Sequence, residues 1–326
     1  MASHHEVLAV ITYPDSFDLQ TGPYHKIWYQ SVKECAESYR LMILQPHKIN
    51  STHIFELVQR LAPDLIVNMA YGQRYSNSLI NIPVHGIINL HGSLLPDFKG
   101  ITPIASALMN GVKEVGATSH FISERLDEGD IILQKKVPIS DEDHAMDVFE
   151  KTWSLYPELL LETIERIEQG DVYRIPQVKG AGSYYPRRQR SQEQINWDKP
   201  TVEVYNFIRA LSYPFRGAYT HFEGKQLIVW KVAKTDSSHH VGIPGQIIRM
   251  GDFGVIVKTY DSTLELVEVQ AEGQPPRAAQ QVINSKHVGM KLGSSLEDEI
   301  ISLRKRMEDL EVRISHKQTD MASEEC

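Results

Sequence analysis

Apolar runs of strand length recur along the first half of the chain, separated by stretches with helical spacing. VLAVITYP (Val7–Pro14) predicts a strand, and after the polar loop DSFDLQTGPYHK a helix is expected over Trp28–Tyr39. LMILQ reads as a short strand leading to a second helix, INSTHIFELVQRL, with Ser51 and Thr52 as N-caps. DLIVNMAYG (Asp64–Gly72) and GIINLHG are apolar strands that each run out at a glycine. A helix over Thr102–Asn110 follows, then two extended segments, GATSHFIS and DIILQKKVPI, around a DEGD turn. A long helical pattern spans Asp143–Gln169, and Pro157 inside it predicts a kink or a break. Strands alternating with helices, some of them apolar on both faces, indicate an α/β domain with a mainly parallel sheet. Ligands bind such sheets beyond the carboxyl ends of strands, a position that the loops after Met69 and Leu90 occupy.

The pattern changes at Gly170. Residues 171–195, rich in Gly, Pro, Ser and basic side chains, read as a linker between a first domain, 1–170, and a second, 196–293. Within the second, Thr201–Leu211 is helical and is followed by GAYTHFE, KQLIVWKVA, GQIIRMG, GVIVKTY and TLELVEVQ, whose close turn signals suggest a small β barrel or sandwich. The tail, 294–326, has another period: Leu296, Ile300, Leu303, Met307, Leu310 and Ile314 form an a/d seam behind a capping box of Ser294 and Glu297. That seam either packs on its own domain or forms a homodimer through 294–314.

Composition narrows the partners. The 326 residues carry a formal net charge of −8, which argues against a protein whose main task is gripping a polyanion. Most of the acidity lies in the first 170 residues and the last 33, and the stretch between is mildly basic, with a cluster of Arg187, Arg188 and Arg190 that is either solvated linker or a phosphate contact. Two cysteines make neither a disulfide framework nor a zinc site, and the His4-His5 and His239-His240 pairs have no metal-ligand spacing with other residues. No apolar run approaches the roughly 20 residues that span a bilayer, so no membrane partner is expected. The first residues lack a signal peptide pattern, and a reduced, cytoplasmic setting is the default.

Candidate chemistry concentrates in Gly86–Gly100, GIINLHGSLLPDFKG. Asn89 and His91 are two apart, so both leave the strand on one face, just before Gly92 and Pro96 turn the chain. An amide there can hydrogen-bond a developing oxyanion, and an imidazole moves a proton near neutral pH. Asp127, in RLDEGDII, could be the carboxylate that tunes the histidine. Taken singly, each has a plainer reading: a structural histidine, turn chemistry for the asparagine, and a tight turn for the aspartate.

Together, NLHGSLLPDFKGITPI and LDEGDI resemble the folate-dependent formyltransferase family, which shares an N-x-H-G-S-L-L-P loop and a downstream L-D-x-G-D turn. INWDKPTVEVYNFIRALSYPFRGAYT and KQLIVWKV look like that family's C-terminal β domain, found in methionyl-tRNA formyltransferases and in the enzyme acting on UDP-4-amino-4-deoxy-L-arabinose. The resemblance implies a Rossmann-like sheet domain, a small OB-like β-barrel domain and a C-terminal helix. It also implies transfer of a formyl group from N10-formyltetrahydrofolate, without a metal, to an amine. Asn89 would then stabilise the oxyanion, His91 would shuttle the proton, and Asp127 would hold His91 and raise its pKa. Gln73, Arg74 and Tyr75 would face the folate through backbone groups, with Ser123, Glu124, Arg125, Leu126 and Asp127 as the other wall of the pterin slot.

For the acceptor, the loop Asp15–Lys26 has two acids, one Lys and no Arg, where methionyl-tRNA formyltransferases typically carry a basic loop. WYQSVKECAE looks more like the sugar-nucleotide branch, although Ile101 stands where the arabinose enzyme has an Arg. An amino-sugar nucleotide is therefore the expected acceptor and tRNA the alternative. A formyltetrahydrofolate hydrolase and an inactive folate- or nucleotide-binding scaffold are further readings. The scaffold reading comes from the start of the chain: family members have a strand and helix before the segment matching HEVLAVIT, so the sheet is expected to lack its first strand unless those elements lie upstream.

Overall fold

The protein is represented by a computed structural model that describes residues 5–14, 31–235 and 240–293, with the single positions 300, 304 and 307. The a/d seam and its capping box lie outside the described residues apart from Ile300 and Met307, as does the loop Asp15–Lys26. The chain divides into two compact units, Met1–Gln189 with Ala210–Arg216, and Arg190–Arg209 with Gly217–Cys326.

The first unit opens on β1 (Val10–Ile11), which pairs in parallel with β2 (Ile43–Leu44) after helix α1 (Val32–Ser38). Ser31 starts α1 by accepting the Glu34 backbone N–H on its hydroxyl. Helix α2 (Thr52–Leu61) turns Ile54 and Val58 inward, four residues apart as a helix requires, onto a cluster with Ile49 and Leu79. Strand β3 (Ile66–Met69), the short helix α3 (Asn77–Ile80) and strand β4 (Ile87–His91) come next. After them follow β5 (Lys99–Gly100), α4 (Pro103–Met109), β6 (Glu114–Phe121) and β7 (Ile131–Pro138). Helices α5 (Ala145–Ser154) and α6 (Tyr156–Glu168) replace the single long helix, with Pro157 in the first turn of α6, where its missing N–H costs nothing.

Strands β3, β4, β6 and β7 form one sheet in that order, with β3 parallel to β4 and the other two pairs antiparallel. The sheet is mixed because β6 and β7 are joined by the turn at Asp127 as a hairpin, which admits only antiparallel pairing. Among the described residues the β1–β2 pair is a separate two-stranded sheet. Every residue of β4 is buried. Its Ile88 and Leu90 pack with Leu159, Leu160 and Ile164 of α6, which leaves Asn89 and His91 to the opposite face.

Residues 171–189 are not a free connection. Strand β8 (Tyr184–Tyr185) pairs with β5, Ile175 bridges Ile131, and Lys99 N–H donates to Ser183 O. This strap lies so close over the loop after β4 that a Cβ on Gly182 would fall 1.8 Å from Pro96 O.

Helix α7 (Thr201–Leu211) precedes the second unit's antiparallel sheet of β9 (Ala218–Phe222), β10 (Lys225–Lys234), β11 (Ile247–Met250), β12 (Val255–Lys258) and β13 (Thr263–Ala271), ordered β11-β12-β13-β10-β9. Strand β14 (Arg277–Ala278) adds to β13 and leads into α8 (Ala279–Val282). A bulge at Trp230–Lys231 in β10 lets Val229 and Val232, three residues apart, both face inward.

Gly180 and Gly182 test the strap. Both have positive φ, 80° and 75°, but a Cβ at Gly180 meets nothing within 4 Å. Gly180→Ala should cost about 1 kcal/mol of stability from backbone conformation alone. Gly182→Ala should cost clearly more in the same denaturant titration; equal costs would mean that the strap is not packed on Pro96.

Candidate active site

The registers of β3, β4 and β6 place Asn68 beside Asn89 and Asn89 beside His120, so three polar side chains form one row across the sheet. All three are buried and mutually bonded. Asn68 Nδ2 donates to Asn89 Oδ1 at 2.7 Å, and Asn89 Nδ2 lies 3.0 Å from His120 Nε2. His120 Nδ1 lies 2.9 Å from Phe121 O, and Tyr75 Oη donates to Asn68 Oδ1 at 2.9 Å. Asn89 uses one N–H on His120 and its carbonyl on Asn68, and an amide nitrogen carries a second N–H.

His91 leaves β4 on the same face. Its Nε2 lies 3.0 Å from Phe98 O, and since a carbonyl only accepts, Nε2 carries the hydrogen. Nδ1 is therefore the nitrogen left for proton transfer, and it lies 3.7 Å from Asp127 Oδ1. The same oxygen is 3.7 Å from His120 Nε2, while Asp127 Oδ2 accepts the Gly100 N–H at 2.8 Å. Asn89, His91 and Asp127 thus converge, although 36 residues of sequence separate the last two.

Asp127 is held by its backbone as well. Its φ of 56° is left-handed, a conformation that aspartate tolerates better than most residues. Gln177 Nε2, from the strap, donates to Asp127 O at 2.9 Å and to Gly129 O at 2.7 Å. At Gly129 a Cβ would lie 1.8 Å from Phe121 O, so the turn can close on β6 only with glycine there. Burial pushes the His120 imidazole down to about 4, helped by the neighbouring His91 and opposed by Asp127 and the Phe121 carbonyl. Burial pushes the Tyr75 hydroxyl well above its ordinary range.

Of the other expected site residues, Gln73 spends its side chain on structure, accepting from Ile49 N and donating to His47 O. Arg74 O accepts from Asn50 Nδ2, and Tyr75 ends the polar row. On the second wall, Ser123 Oγ donates to Arg125 O, Arg125 pairs with Glu128, and Leu126 is exposed. Asn77 donates to Glu124, which ties the start of α3 to the turn after β6. The arginine cluster does not act as a unit: Arg188 donates to Thr102 Oγ1 at 3.0 Å, and Arg190 bonds Glu193 and Gly217 O and stacks on Tyr219. Arg187 is exposed. No His, Cys, Asp and Glu grouping able to hold a metal occurs among the described residues.

Asn68, His120 and Gln177 escape a reading of the sequence alone. The signals were faint: a polar residue inside each of two apolar strands, and a glutamine in a stretch whose composition resembles a linker.

An amide and an imidazole on one face of β4, with a carboxylate from the turn after β6, form a candidate site for chemistry on a small carbonyl group. Comparison with known proteins gives the family. Formyl transferase matches residues 2–164, and the formyl transferase C-terminal domain matches residues 188–287. A methionyl-tRNA formyltransferase of Pelotomaculum thermopropionicum is 37% identical over 269 residues, covering 82% of this chain and 84% of that protein. WlaRD, a sugar 3N-formyl transferase solved with dTDP and 5-N-formyl-THF, aligns at a TM-score of 0.57 with 19% identity, over 76% of this chain and 84% of that one. HypX from Aquifex aeolicus, solved with tetrahydrofolic acid, aligns at a TM-score of 0.55 and 19% identity over 76% of this chain, which spans 43% of HypX. The chain belongs to the folate-dependent formyltransferase family, whose enzymes transfer a formyl group.

The buried His120 predicts an acid instability. Its imidazole titrates near 6.5 when unfolded and near 4 when folded, so between those values the unfolded chain binds the extra proton. Stability should be lost as pH falls through that window, by up to ~1.4 kcal/mol per pH unit from this group. Denaturant midpoints measured across the window should fall less steeply for His120→Gln; parallel slopes would show that His120 does not titrate as described.

Proposed function

We propose that the protein moves the formyl group of N10-formyltetrahydrofolate to the α-amine of methionyl-tRNA. The observation that carries the acceptor is the 37% identity to a methionyl-tRNA formyltransferase along 82% of the chain, against 19% to the sugar enzyme. This reverses the preference for an amino-sugar nucleotide drawn from the composition of Asp15–Lys26. The sugar acceptor stays as the second reading because that loop carries two acids and one lysine. The second unit then serves as the OB-like domain expected from the family resemblance.

In this reading the substrate formyl carbon sits between Asn89 and His91, with the pterin between the loop at Gln73–Tyr75 and the turn at Ser123–Asp127. The amine attacks the formyl carbon, and the carbonyl oxygen becomes an oxyanion that takes the second N–H of Asn89. The attacking nitrogen gives up a proton to His91 Nδ1 as its new C–N bond forms. That proton passes to N10 as the old C–N bond breaks, which yields formyl-amine and tetrahydrofolate. Asp127, at 3.7 Å from Nδ1, stabilises the imidazolium formed between the two transfers. Phe98 O fixes the ring so that Nδ1 faces the reaction throughout.

Tetrahydrofolate release from N10-formyltetrahydrofolate should be fast with methionyl-tRNA and slow with dTDP- or UDP-linked amino sugars or with water alone. Release only with an amino sugar would overturn the acceptor, and release with none would overturn the reaction. His91→Ala should lower kcat by about 100-fold or more, and Asn89→Ala by a similar factor. Wild-type turnover in folded His91→Ala would remove the assigned mechanism.

A further inference from the structure

We propose that His120 is a positioning residue for formyl transfer: bonded to the Phe121 carbonyl, it presents a bare Nε2 to Asn89 and thereby fixes which end of the Asn89 amide faces the reacting carbonyl. The inference rests on formyl transfer with Asn89 as the oxyanion donor, whatever the acceptor amine.

The orientation follows from one acceptor. Phe121 O can only accept, so His120 Nδ1, 2.9 Å away, carries the hydrogen. The neutral ring then has no hydrogen on Nε2, and Asn89 must turn its nitrogen, not its oxygen, to that atom at 3.0 Å. Asn89 Oδ1 consequently faces Asn68 Nδ2 at 2.7 Å, and Asn68 Oδ1 faces the Tyr75 hydroxyl at 2.9 Å. Each member leaves the next only one choice. An asparagine free of this row could rotate its amide and offer an oxygen where the reaction needs a donor, which would repel the oxyanion.

The row depends on an uncharged ring. A hydrogen on His120 Nε2 would face the Asn89 N–H, and relieving that clash would reverse Asn89, then Asn68. The groups facing the ring pull in opposite directions. Asp127 Oδ1, 3.7 Å from Nε2 on the turn after β6, favours the proton. His91 on β4, with ring centroids 6.5 Å apart, opposes it when charged. Burial decides: the ring is 1% exposed, and it is held neutral down to about pH 4.

Two variants and one spectrum test the proposal on the full-length protein. His120→Gln can still accept from Asn89 through its side-chain oxygen; His120→Leu cannot. At equal circular dichroism, His120→Leu should lower kcat by about 10-fold or more with KM for N10-formyltetrahydrofolate little changed, and His120→Gln should recover most of the loss. In protein labelled with 15N-histidine, the signals absent from His120→Gln should report a protonated Nδ1 and a bare Nε2 at neutral pH. Wild-type kcat in His120→Leu, equal losses in both variants, or a hydrogen on Nε2 would each overturn the positioning role. A wild-type protein that releases no tetrahydrofolate with any amine would instead overturn formyl transfer, and the positioning role with it.

Discussion

A buried polar side chain must find a partner inside the protein, and this constraint shapes the centre of the first unit. Leaving one unpaired costs roughly 1–3 kcal/mol. Asn68, Asn89 and His120 lie on three adjacent strands at positions that the pairing registers bring level. A one-residue slip of β3 or β6 would turn Asn68 or His120 to the other face and leave Asn89 unpaired. The polar row therefore penalises wrong registers, and the right register is also what brings Asn89 and His91 out on the face away from α6. Stability and the geometry of the candidate site make the same demand on the same strands.

The strap of residues 171–189 extends that demand beyond the sheet. Composition reads this stretch as a linker because Gly, Pro and Ser dominate it, yet those residues serve close packing here: Gly182 passes against Pro96 O, and Ser183 meets the backbone of Phe98 and Lys99. Gln177 holds the turn that carries Asp127, and β8 pairs with β5 next to Gly100, whose N–H binds the Asp127 carboxylate. The strap touches both the backbone and the carboxylate environment of Asp127 without supplying a reacting group.

Where the chain repeats a period over many residues, its elements are legible in sequence. The expected helices at Trp28–Tyr39 and Thr201–Leu211 correspond to α1 and α7, and Pro157 marks the boundary between α5 and α6. The short elements α3, β5 and β8 span two to four residues each, too few to show a period. Asn89, His91 and Asp127 were expected from local motifs that each occupy a few consecutive residues, and the structure places the three near one another. Asn68 and His120 belong to a feature that exists only across strands, because register is a long-range property. Nothing within DLIVNMAYG or GATSHFIS says that the asparagine of one and the histidine of the other share a row.

The two lines bearing on the acceptor differ in what they measure. Net charge averages over a surface, and −8 on 326 residues is compatible with a polyanion partner if basic groups are gathered where it docks. The mildly basic stretch after residue 170 supplies such groups, but the structure withdraws two members of its densest cluster, since Arg188 and Arg190 are spent on internal hydrogen bonds. Identity over 269 residues samples far more positions than any single loop represents. For that reason the co-linear match outweighs the composition of Asp15–Lys26 in the acceptor we propose, and in that proposal the part played by Asn89 does not depend on the choice, because the formyl carbon is the same for every acceptor.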